Sequence, residues 1–322
     1  MRVGIIGAGH IARKMALTLN QMERAEAYAV GSRSLEKAKE FAQEFKMGAY
    51  YGSYEALVGD PKVDLIYVAT PHSHHYAHIK LALEAGKPVL CEKAFTVNAQ
   101  LAKEVIALAE EKNLFLGEAI WTRYVPMRFL LDEVINSSII GKVYSVTANL
   151  GYMISHVERL AEPALAGGAL LDVGVYPINF ALMVLKGEIE KITSTATFTK
   201  TGVDAQNSIT LTFKGGEMAV LHSSQMGPTD RRGMVYGDKG YIEVVNINNP
   251  ELIRVFDLDH KLLKEIAQPP QITGFEYQVE AAIEAIKNGR SEPSQMPHSE
   301  IIRVMEIMDG LRGEWGLRYP ME

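Results

Sequence analysis

The first twelve residues constrain the fold of this chain more than any other segment. Residues 2–6 read RVGII, which predicts a buried strand, and residues 7–12 read GAGHIA, a G-x-G-x-x-A turn leading into a helix. In such a turn the first glycine allows a tight reversal, the second lets the backbone approach a pyrophosphate, and the small last residue lets the helix pack on the strand. Free N–H groups at the helix start can hold phosphate oxygens. We therefore predict a dinucleotide site formed by Gly7, Gly9, His10, Ile11 and Ala12.

The end of the second predicted strand bears on which dinucleotide binds. Residues 25–31 are followed by Ser32, Arg33 and Ser34, and no acidic residue stands at that strand end. A site that prefers NAD usually places Asp or Glu there, on the ribose hydroxyls. A guanidinium and two hydroxyls instead attract a 2′-phosphate through charge-assisted hydrogen bonds. We expect NADP to be preferred, with NAD possible. A compatible alternative is that Ser34 caps the next helix and Arg33 is solvated.

Composition excludes several classes of protein. The 322 residues, 47% hydrophobic and 22% charged, are enough for two domains with ordinary cores. A net charge of −6 argues against a nucleic-acid partner. We expect neither a membrane-spanning segment nor a signal peptide. The only cysteine, Cys91, excludes an intrachain disulfide and favours a reducing compartment, so the expected location is cytoplasmic.

The order of predicted elements divides the chain in two. Strands and helices alternate over residues 1–120, which predicts a doubly wound parallel sheet of the Rossmann type. From residue 121 onward strands mostly follow strands, interrupted by a helix over 172–185 and closed by two helices. Residues 121–322 are therefore predicted to form a second α/β domain with an open, largely antiparallel sheet. One sheet face left uncovered would favour a homodimer or homotetramer.

A histidine-rich segment follows the apolar strand at 64–69. Residues 70–75 read TPHSHH and lie where ligands bind in open α/β sheets, beyond the carboxyl ends of the strands. His74 and His78 have the i, i+4 spacing that zinc can use, but neither an H-E-x-x-H motif nor a cysteine cluster accompanies them, so we predict no metal site. We expect the helix start to lie beside the nicotinamide, His75 to lie near the cofactor, and the remaining histidines to lie on the surface. The predicted cofactor contacts here are Thr70, Pro71, His72 and His75.

Glu92 and Lys93 stand just beyond the next predicted strand, at the same edge of the sheet. A lysine that points into the cofactor cleft could act as a general acid and base. The alternative, equally open from position alone, is a surface lysine paired with Glu92.

Residues 167–177, GGALLDVGVYP, combine two glycines with the start of a helix. Pro177 is tolerated only near the first turn, which makes Asp172 a candidate N-cap with Tyr176 about one turn further on. A tyrosine hydroxyl aimed at a lysine could share a proton. A capping aspartate and a core tyrosine are the simpler interpretation.

Residues 121–126, WTRYVP, follow the last predicted parallel strand. The Trp121 indole could line a nicotinamide or a sugar ring, and Arg123 could bind a phosphate or orient Asp172. A packing cluster at the domain junction explains the same residues equally well.

Together these segments carry a resemblance. The glycine turn, TPHSxH, GKPVLCEK, EAxWTRYxP and GGALLDVGVYPI resemble, in that order, the Gfo/Idh/MocA family of NAD(P)-dependent oxidoreductases. The WTR and DVGVYP segments look most like its dihydrodiol dehydrogenase and NADP-dependent xylose dehydrogenase branch. The resemblance implies a Rossmann domain, an open-sheet domain and an active site between them. The family's E-K-P lysine falls on Lys93, and its D-x-G-x-[HY] pair falls on Asp172 and Tyr176. One departure is Ala94, which stands where the family usually has proline.

The expected reaction is hydride transfer between NADP(H) and a carbinol carbon of a sugar, inositol or cyclic diol. In this hypothesis Lys93 donates or accepts the proton, Tyr176 hydrogen-bonds the reacting oxygen, and Asp172 orients the lysine or a neighbouring hydroxyl. One alternative is a catalytically silent NAD(P)-binding sensor on the same scaffold. Another is a sugar–sugar oxidoreductase that keeps its cofactor tightly bound.

Overall fold

The computed structural model describes all residues from Met1 to Glu322. The chain forms two compact units. The first contains Met1–Trp121 and Gln271–Glu306, and the second contains Thr122–Pro270 and Ile307–Glu322.

The first unit is built on parallel strands that alternate with helices. Its main elements are β1 (Arg2–Ile6), α1 (His10–Leu19), β2 (Glu26–Gly31), α2 (Leu35–Glu44), β3 (Ala49–Tyr51), α3 (Tyr54–Val58), β4 (Leu65–Val68), α4 (His72–Glu84), β5 (Val89–Glu92), α5 (Ala99–Glu111) and β6 (Leu116–Ala119). The strand order is β3-β2-β1-β4-β5-β6, with every neighbouring pair parallel. This order is that of the doubly wound dinucleotide fold, so the predicted Rossmann sheet is confirmed.

Local sequence explains these elements. All four residues of β4, LIYV, are buried, as expected for a strand covered by helices on both faces. Several helices begin at a polar residue that accepts a bond from the first turn: Ser34 Oγ from the Lys37 N–H at 3.3 Å, and Asn98 Oδ1 from the Leu101 N–H at 2.9 Å. Such caps fix where the helices start relative to the strand ends that precede them.

The second unit contains an eight-stranded sheet, mixed but mostly antiparallel. Its main elements are α6 (Pro126–Asn136), β7 (Val143–Gly151), α7 (Glu158–Ala161), a π-helical turn (Leu170–Gly174), α8 (Val175–Val184), β8 (Ile189–Phe198), β9 (Asp204–Phe213), β10 (Met218–Ser224), β11 (Gly233–Gly237), β12 (Gly240–Val245), β13 (Leu252–Asp257) and β14 (Leu262–Ala267). The strand order is β14-β13-β12-β11-β7-β10-β9-β8, and only β7 and β10 pair in parallel. The predicted open, largely antiparallel sheet is confirmed. The sequence prediction missed β14, whose residues are mostly exposed.

The helix α8 is almost wholly buried, because it covers the middle of this sheet. By length and composition the segment Pro163–Val184 could cross a membrane, which the sequence analysis did not anticipate. However, 94% of its most apolar stretch is buried within the protein, as is usual for a core helix. We therefore interpret it as the core of the second unit.

The unit boundary differs from the predicted division at residue 121 in one respect. Residues 271–306, which carry α9 (Glu276–Lys287) and the start of α10 (His298–Trp315), belong to the first unit. The Leu116 N–H in β6 donates to the Ser291 carbonyl at 2.9 Å, and the His298 ring donates to the Leu116 carbonyl at 2.9 Å. These bonds pair backbone groups of the edge strand β6 with residues 291–298, so this later segment covers the edge of the parallel sheet.

Candidate active site

The glycine turn after β1 has the shape that a dinucleotide needs. Gly7 has φ +105°, a conformation that favours glycine, and a Cβ there would meet the Ala69 carbonyl oxygen at 3.0 Å. Gly9 is the N-cap of α1 and supplies no side-chain bond to the first turn, while a Cβ built on it would enter open space. The first-turn N–H groups of α1 therefore face space that a pyrophosphate can fill. Ala12 is fully buried, whereas Ile11 is half-buried and His10 is exposed.

The three residues after β2 form a polar corner. Ser32 Oγ accepts a bond from the Ser34 N–H at 3.3 Å, and Ser34 caps α2 as the alternative interpretation expected. A hydroxyl that accepts a bond still has its own proton to donate to an anion. Arg33 is exposed and hydrogen-bonds to Tyr54. These side chains fit the 2′-phosphate of NADP as well as they fit helix capping.

Three of the four histidines near α4 are buried rather than on the surface: His72, His75 and His78. The His78 ring contacts the Thr70 hydroxyl at 2.9 Å, and the rings of His74 and His78 stack with centroids 5.8 Å apart. Burial lowers the pKa of His78 to about 4. These contacts fill the interior between α3, α4 and the end of β4. No group of three or more His, Cys, Asp or Glu side chains is arranged to hold a metal ion.

His75 is fully enclosed, with no exposed surface. Its ring nitrogens lie 2.8 Å from the Thr70 carbonyl oxygen and 2.9 Å from that of Ala94. Burial lowers the pKa of His75 to about 4, so the neutral ring donates to one of these carbonyls. The expectation that His75 lies near the cofactor stays a prediction, but the ring itself is enclosed by protein and has no exposed face to offer a ligand. It instead fixes the backbone of Thr70 and of the residue that follows Lys93. Pro71 is the N-cap of α4.

Lys93 follows β5 directly and is half-buried. The Lys93–Ala94 peptide bond is cis. Glu92 is the last residue of β5, and its buried carboxylate accepts bonds from the Tyr67 hydroxyl and, at 3.3 Å, from the Lys93 N–H. Because β4, β5 and β1 run parallel, Lys93 lies at the same sheet edge as Thr70 and the glycine turn. The first unit therefore carries its candidate proton donor on the same edge as its candidate dinucleotide site.

Asp172 and Tyr176 lie in the second unit. Asp172 is inside the π-helical turn, not at the N-cap as predicted, and its carboxylate pairs with Arg159 at 2.9 Å. The capping role is taken by Asp204 in β9, which accepts a bond from the Leu170 N–H at 2.7 Å. Tyr176 is on the first turn of α8 and is 8% exposed.

Trp121 and Arg123 are both buried. The indole of Trp121 packs on Phe275 with ring centroids 4.6 Å apart, as expected for a packing cluster. Arg123 Nε donates to Asn179 Oδ1 at 2.6 Å.

Lys14 in α1 is a residue that the sequence analysis did not single out. Its ammonium lies 4.4 Å from the ring centroid of Trp121 and 4.3 Å from that of Phe275. Burial lowers the pKa of Lys14, against the opposing charges of Glu92 and Glu276. No local sequence pattern could have indicated this environment of Lys14, since Phe275 is far from it along the chain and only the fold brings the two together.

A Rossmann unit with an open glycine turn, a lysine at the carboxyl edge of its sheet and a second unit built on an open sheet define an NAD(P)-dependent oxidoreductase. Comparison with family models agrees with this class. Residues 1–119 match the oxidoreductase family with the NAD-binding Rossmann fold, and residues 130–243 match the GFO/IDH/MocA C-terminal domain. The chain belongs to the Gfo/Idh/MocA oxidoreductase family, as the sequence motifs predicted, and it is an enzyme of the dehydrogenase type.

Named relatives span the whole chain. Trans-1,2-dihydrobenzene-1,2-diol dehydrogenase of Xenopus tropicalis is 34% identical over 98% of each chain. The Homo sapiens protein of that name is 34% identical over 100% of this chain and 99% of its own. Among solved structures, the 3-ketoreductase KijD10 from Actinomadura kijaniata, crystallised with NADP and TDP-benzene, has a TM-score of 0.88 at 26% identity, covering 97% of each chain. An aldose-aldose oxidoreductase from Caulobacter crescentus, at 21% identity, has a TM-score of 0.87 over 98% of each chain and shares the fold.

Proposed function

We propose that this enzyme is an NADP-dependent dehydrogenase that oxidises a secondary alcohol of a cyclic diol, inositol or sugar, or reduces the corresponding ketone. The observation that carries the proposal is the half-buried Lys93, which directly follows β5 at the sheet edge that also bears the open glycine turn. The full-length relatives named as diol dehydrogenases support the substrate class. The solved relative that holds NADP supports the cofactor.

A bound nicotinamide supplies the hydride-transfer chemistry, and the protein positions it and moves a proton. The first-turn N–H groups of α1 would hold the pyrophosphate, while Arg33, Ser32 and Ser34 would bind the 2′-phosphate. In the oxidation direction the neutral amine of Lys93 accepts the hydroxyl proton of the substrate. In the reduction direction the ammonium of Lys93 donates a proton to the carbonyl oxygen.

The residues of the second unit that we propose for the reaction are Asp172 and Tyr176. The Tyr176 hydroxyl would hydrogen-bond the reacting oxygen, and it is the alternate candidate for the base. Asp172, whose side chain pairs with Arg159, would orient the donor groups.

Substitution of Lys93 tests the proposal. We expect Lys93→Ala to lower kcat by about two to four orders of magnitude, the usual contribution of a general acid and base, while leaving the Kd for NADPH within about threefold of wild type. Turnover is followed at the reduced-nicotinamide absorbance band with trans-dihydrodiols, inositols and aldoses, and the Kd by quenching of protein fluorescence.

Lys80→Ala is the matched control, because Lys80 is exposed on α4 and pairs only weakly with Glu84 at 3.9 Å. Near-normal kcat in Lys93→Ala would rule out the assigned role. Tight NADPH binding without turnover of any polyol in the wild type would favour the sensor instead. A cofactor that remains bound through gel filtration and cycles between two sugars would favour the sugar–sugar oxidoreductase.

A further inference from the structure

The segment that carries Asp172 and Tyr176 has no cap of its own. Ala169, which precedes the π-helical turn, offers no side-chain acceptor to the first N–H groups. The Leu170 N–H instead donates to Asp204 Oδ2 at 2.7 Å, from a strand more than thirty residues further along the chain. A carboxylate at a helix start also interacts favourably with the helix dipole. Asp204 is therefore the group that anchors the beginning of this segment.

Asp204 belongs to a buried polar network. Its Oδ2 also accepts a bond from Asn207 Nδ2 at 3.0 Å, and Asn207 Oδ1 in turn accepts one from Ser223 Oγ at 2.9 Å. Asp204 has no exposed surface, and Asn207 and Ser223 are almost as deeply buried. Because these buried groups bond to one another rather than to solvent, loss of one bond leaves its partner unsatisfied, so a change at one member affects the next.

The other carboxylate oxygen of Asp204 determines the shape of the chain before the turn. Oδ1 has no hydrogen-bond partner. A Cβ atom built on Gly168 would lie only 2.2 Å from this oxygen, which is closer than two such atoms can approach. Gly168 has φ +116°, so both its conformation and this close approach require glycine. On the other side, the Tyr319 hydroxyl donates to the Gly167 carbonyl at 2.7 Å. The two glycines are thus held between Asp204 and the C-terminal residues.

The charge of Asp204 responds to pH in the physiological range. Burial raises the pKa of Asp204 to about 6, against the opposing effects of the Asn207 and Leu170 bonds and of the charge on Arg312. Arg312 on α10 is itself bonded to Asp309 and Glu322. The remaining titratable group that faces Asp204 is Tyr319, and burial and the charge of Asp204 both raise its pKa. As the pH falls below 7, Asp204 is therefore the member of this group, rather than Arg312 or Tyr319, that takes up a proton.

We propose that Asp204 is a positioning residue, which holds residues 167–176 in their working arrangement when it is ionised and releases them when it is protonated. An ionised carboxylate accepts stronger hydrogen bonds from the Leu170 and Asn207 donors than a neutral acid does. Loss of the charge therefore lets the segment shift, and a displacement of about 1 Å in a reacting group can cost on the order of 100-fold in rate. The proposal rests on the proposed function in one respect, that Asp172 and Tyr176 serve the reaction.

Two substitutions separate positioning from simple stability. We expect Asp204→Asn to lower kcat by about 10- to 100-fold, to leave the Kd for NADPH unchanged and to remove an acid limb near pH 6 from the kcat profile. Asn207→Ala removes a bond that lowers the pKa of Asp204, so the acid limb should move to higher pH. Asp204→Glu, which restores the charge, should recover part of kcat and the acid limb.

A purely structural role would lower the melting temperature of these variants without moving the pH profile of kcat, and that result would overturn the proposal. If Asp204→Asn fails to fold, the shift of the limb in Asn207→Ala decides the matter. Hydrogen exchange of peptides from residues 167–176 provides a readout that needs no turnover. It should be faster at pH 5.5 than at pH 7.5 in the wild type, after correction for intrinsic rates, and uniformly fast in Asp204→Asn. Protection that does not depend on pH or on the substitution would also overturn the proposal, whereas a wild type without turnover would overturn only the proposed function.

Discussion

At the scale of single residues, the choice of dinucleotide depends on Arg33. It is the second residue after the buried end of β2, in the stretch where an acidic residue would bind ribose hydroxyls, and it is exposed. Burial is the main cause that lowers the pKa of His74 and of His78, and the positive charge of Arg33 adds to both shifts. A guanidinium in this position strengthens binding of the 2′-phosphate of NADP and does not repel any group of NAD.

Reversing this charge should change cofactor preference. We expect Arg33→Asp to shift the ratio of kcat/KM for NADP over NAD toward NAD by about 10- to 100-fold or more, because hydrogen bonds between charged groups contribute about 1.5–3 kcal/mol. The ratio is measured with one substrate and both cofactors. Lys39→Asp makes the same change of charge further along α2 and should leave the ratio near its wild-type value. An unaltered ratio in Arg33→Asp would contradict the assignment of the 2′-phosphate.

At the scale of elements, α4 carries four histidines, three of which are buried. Burial lowers the pKa of both His75 and His78 to about 4, below the value of about 6.5 of an unfolded histidine. Between these values the unfolded chain binds protons that the folded chain does not. The stability that these groups contribute is therefore complete above about pH 6.5 and is lost as the pH falls toward 4. Asp204, with its raised pKa, acts in the opposite direction and offsets part of this loss.

The acid sensitivity of the fold tests this linkage. Between pH 7 and pH 5, His75 and His78 should each cost about 2 kcal/mol of stability, at 1.36 kcal/mol per pKa unit. We expect the melting temperature to fall over this range, and His78→Gln to reduce the fall, since glutamine can still bond to Thr70 but does not titrate. His156→Gln is the control, because His156 is exposed. An equal fall in wild type and His78→Gln, measured by calorimetry, would show that His78 is not responsible.

The same elements show what sequence alone could predict. The apolar strands and the glycine turn of the first unit follow from local patterns, and their bounds are close to the predicted ones. The roles of His75, Lys14 and Asp204 depend on partners 19 or more residues away along the chain: Ala94, Phe275 and Leu170. Asp172 was predicted as an N-cap because Pro177 requires the first helical turn, but the acceptor at the helix start is Asp204 on β9. Long-range partners of this kind leave no periodic signal in a single sequence.

At the scale of the whole molecule, the sheet of the second unit leaves one face without a covering helix. On this face Val220 of β10 and Met234 of β11 lie on either side of Thr147 of β7. Two residues further along, Met218 and Tyr236 lie on either side of Ser145. Met218 and Val220 are each 42% exposed and Tyr236 is 36% exposed. On the neighbouring strands Arg254 bonds to Glu243 and Glu265, so the face carries paired rather than repelling charges. We propose that a second copy of the chain covers this face in a homodimer or homotetramer.

A charge placed on this face should break the assembly. We expect the wild type to have at least twice the mass of one chain by light scattering during gel filtration, and Val220→Glu to reduce that mass at micromolar concentration, because an unpaired carboxylate would be buried between two sheets. Val220 is partly exposed in the single chain, so the substitution should leave the fold intact, as circular dichroism can verify. Leu17→Glu, at an exposed apolar residue of α1, is the matched control and should keep the wild-type mass. A monomeric wild type, or an assembly indifferent to Val220→Glu, would show that the face is not the interface.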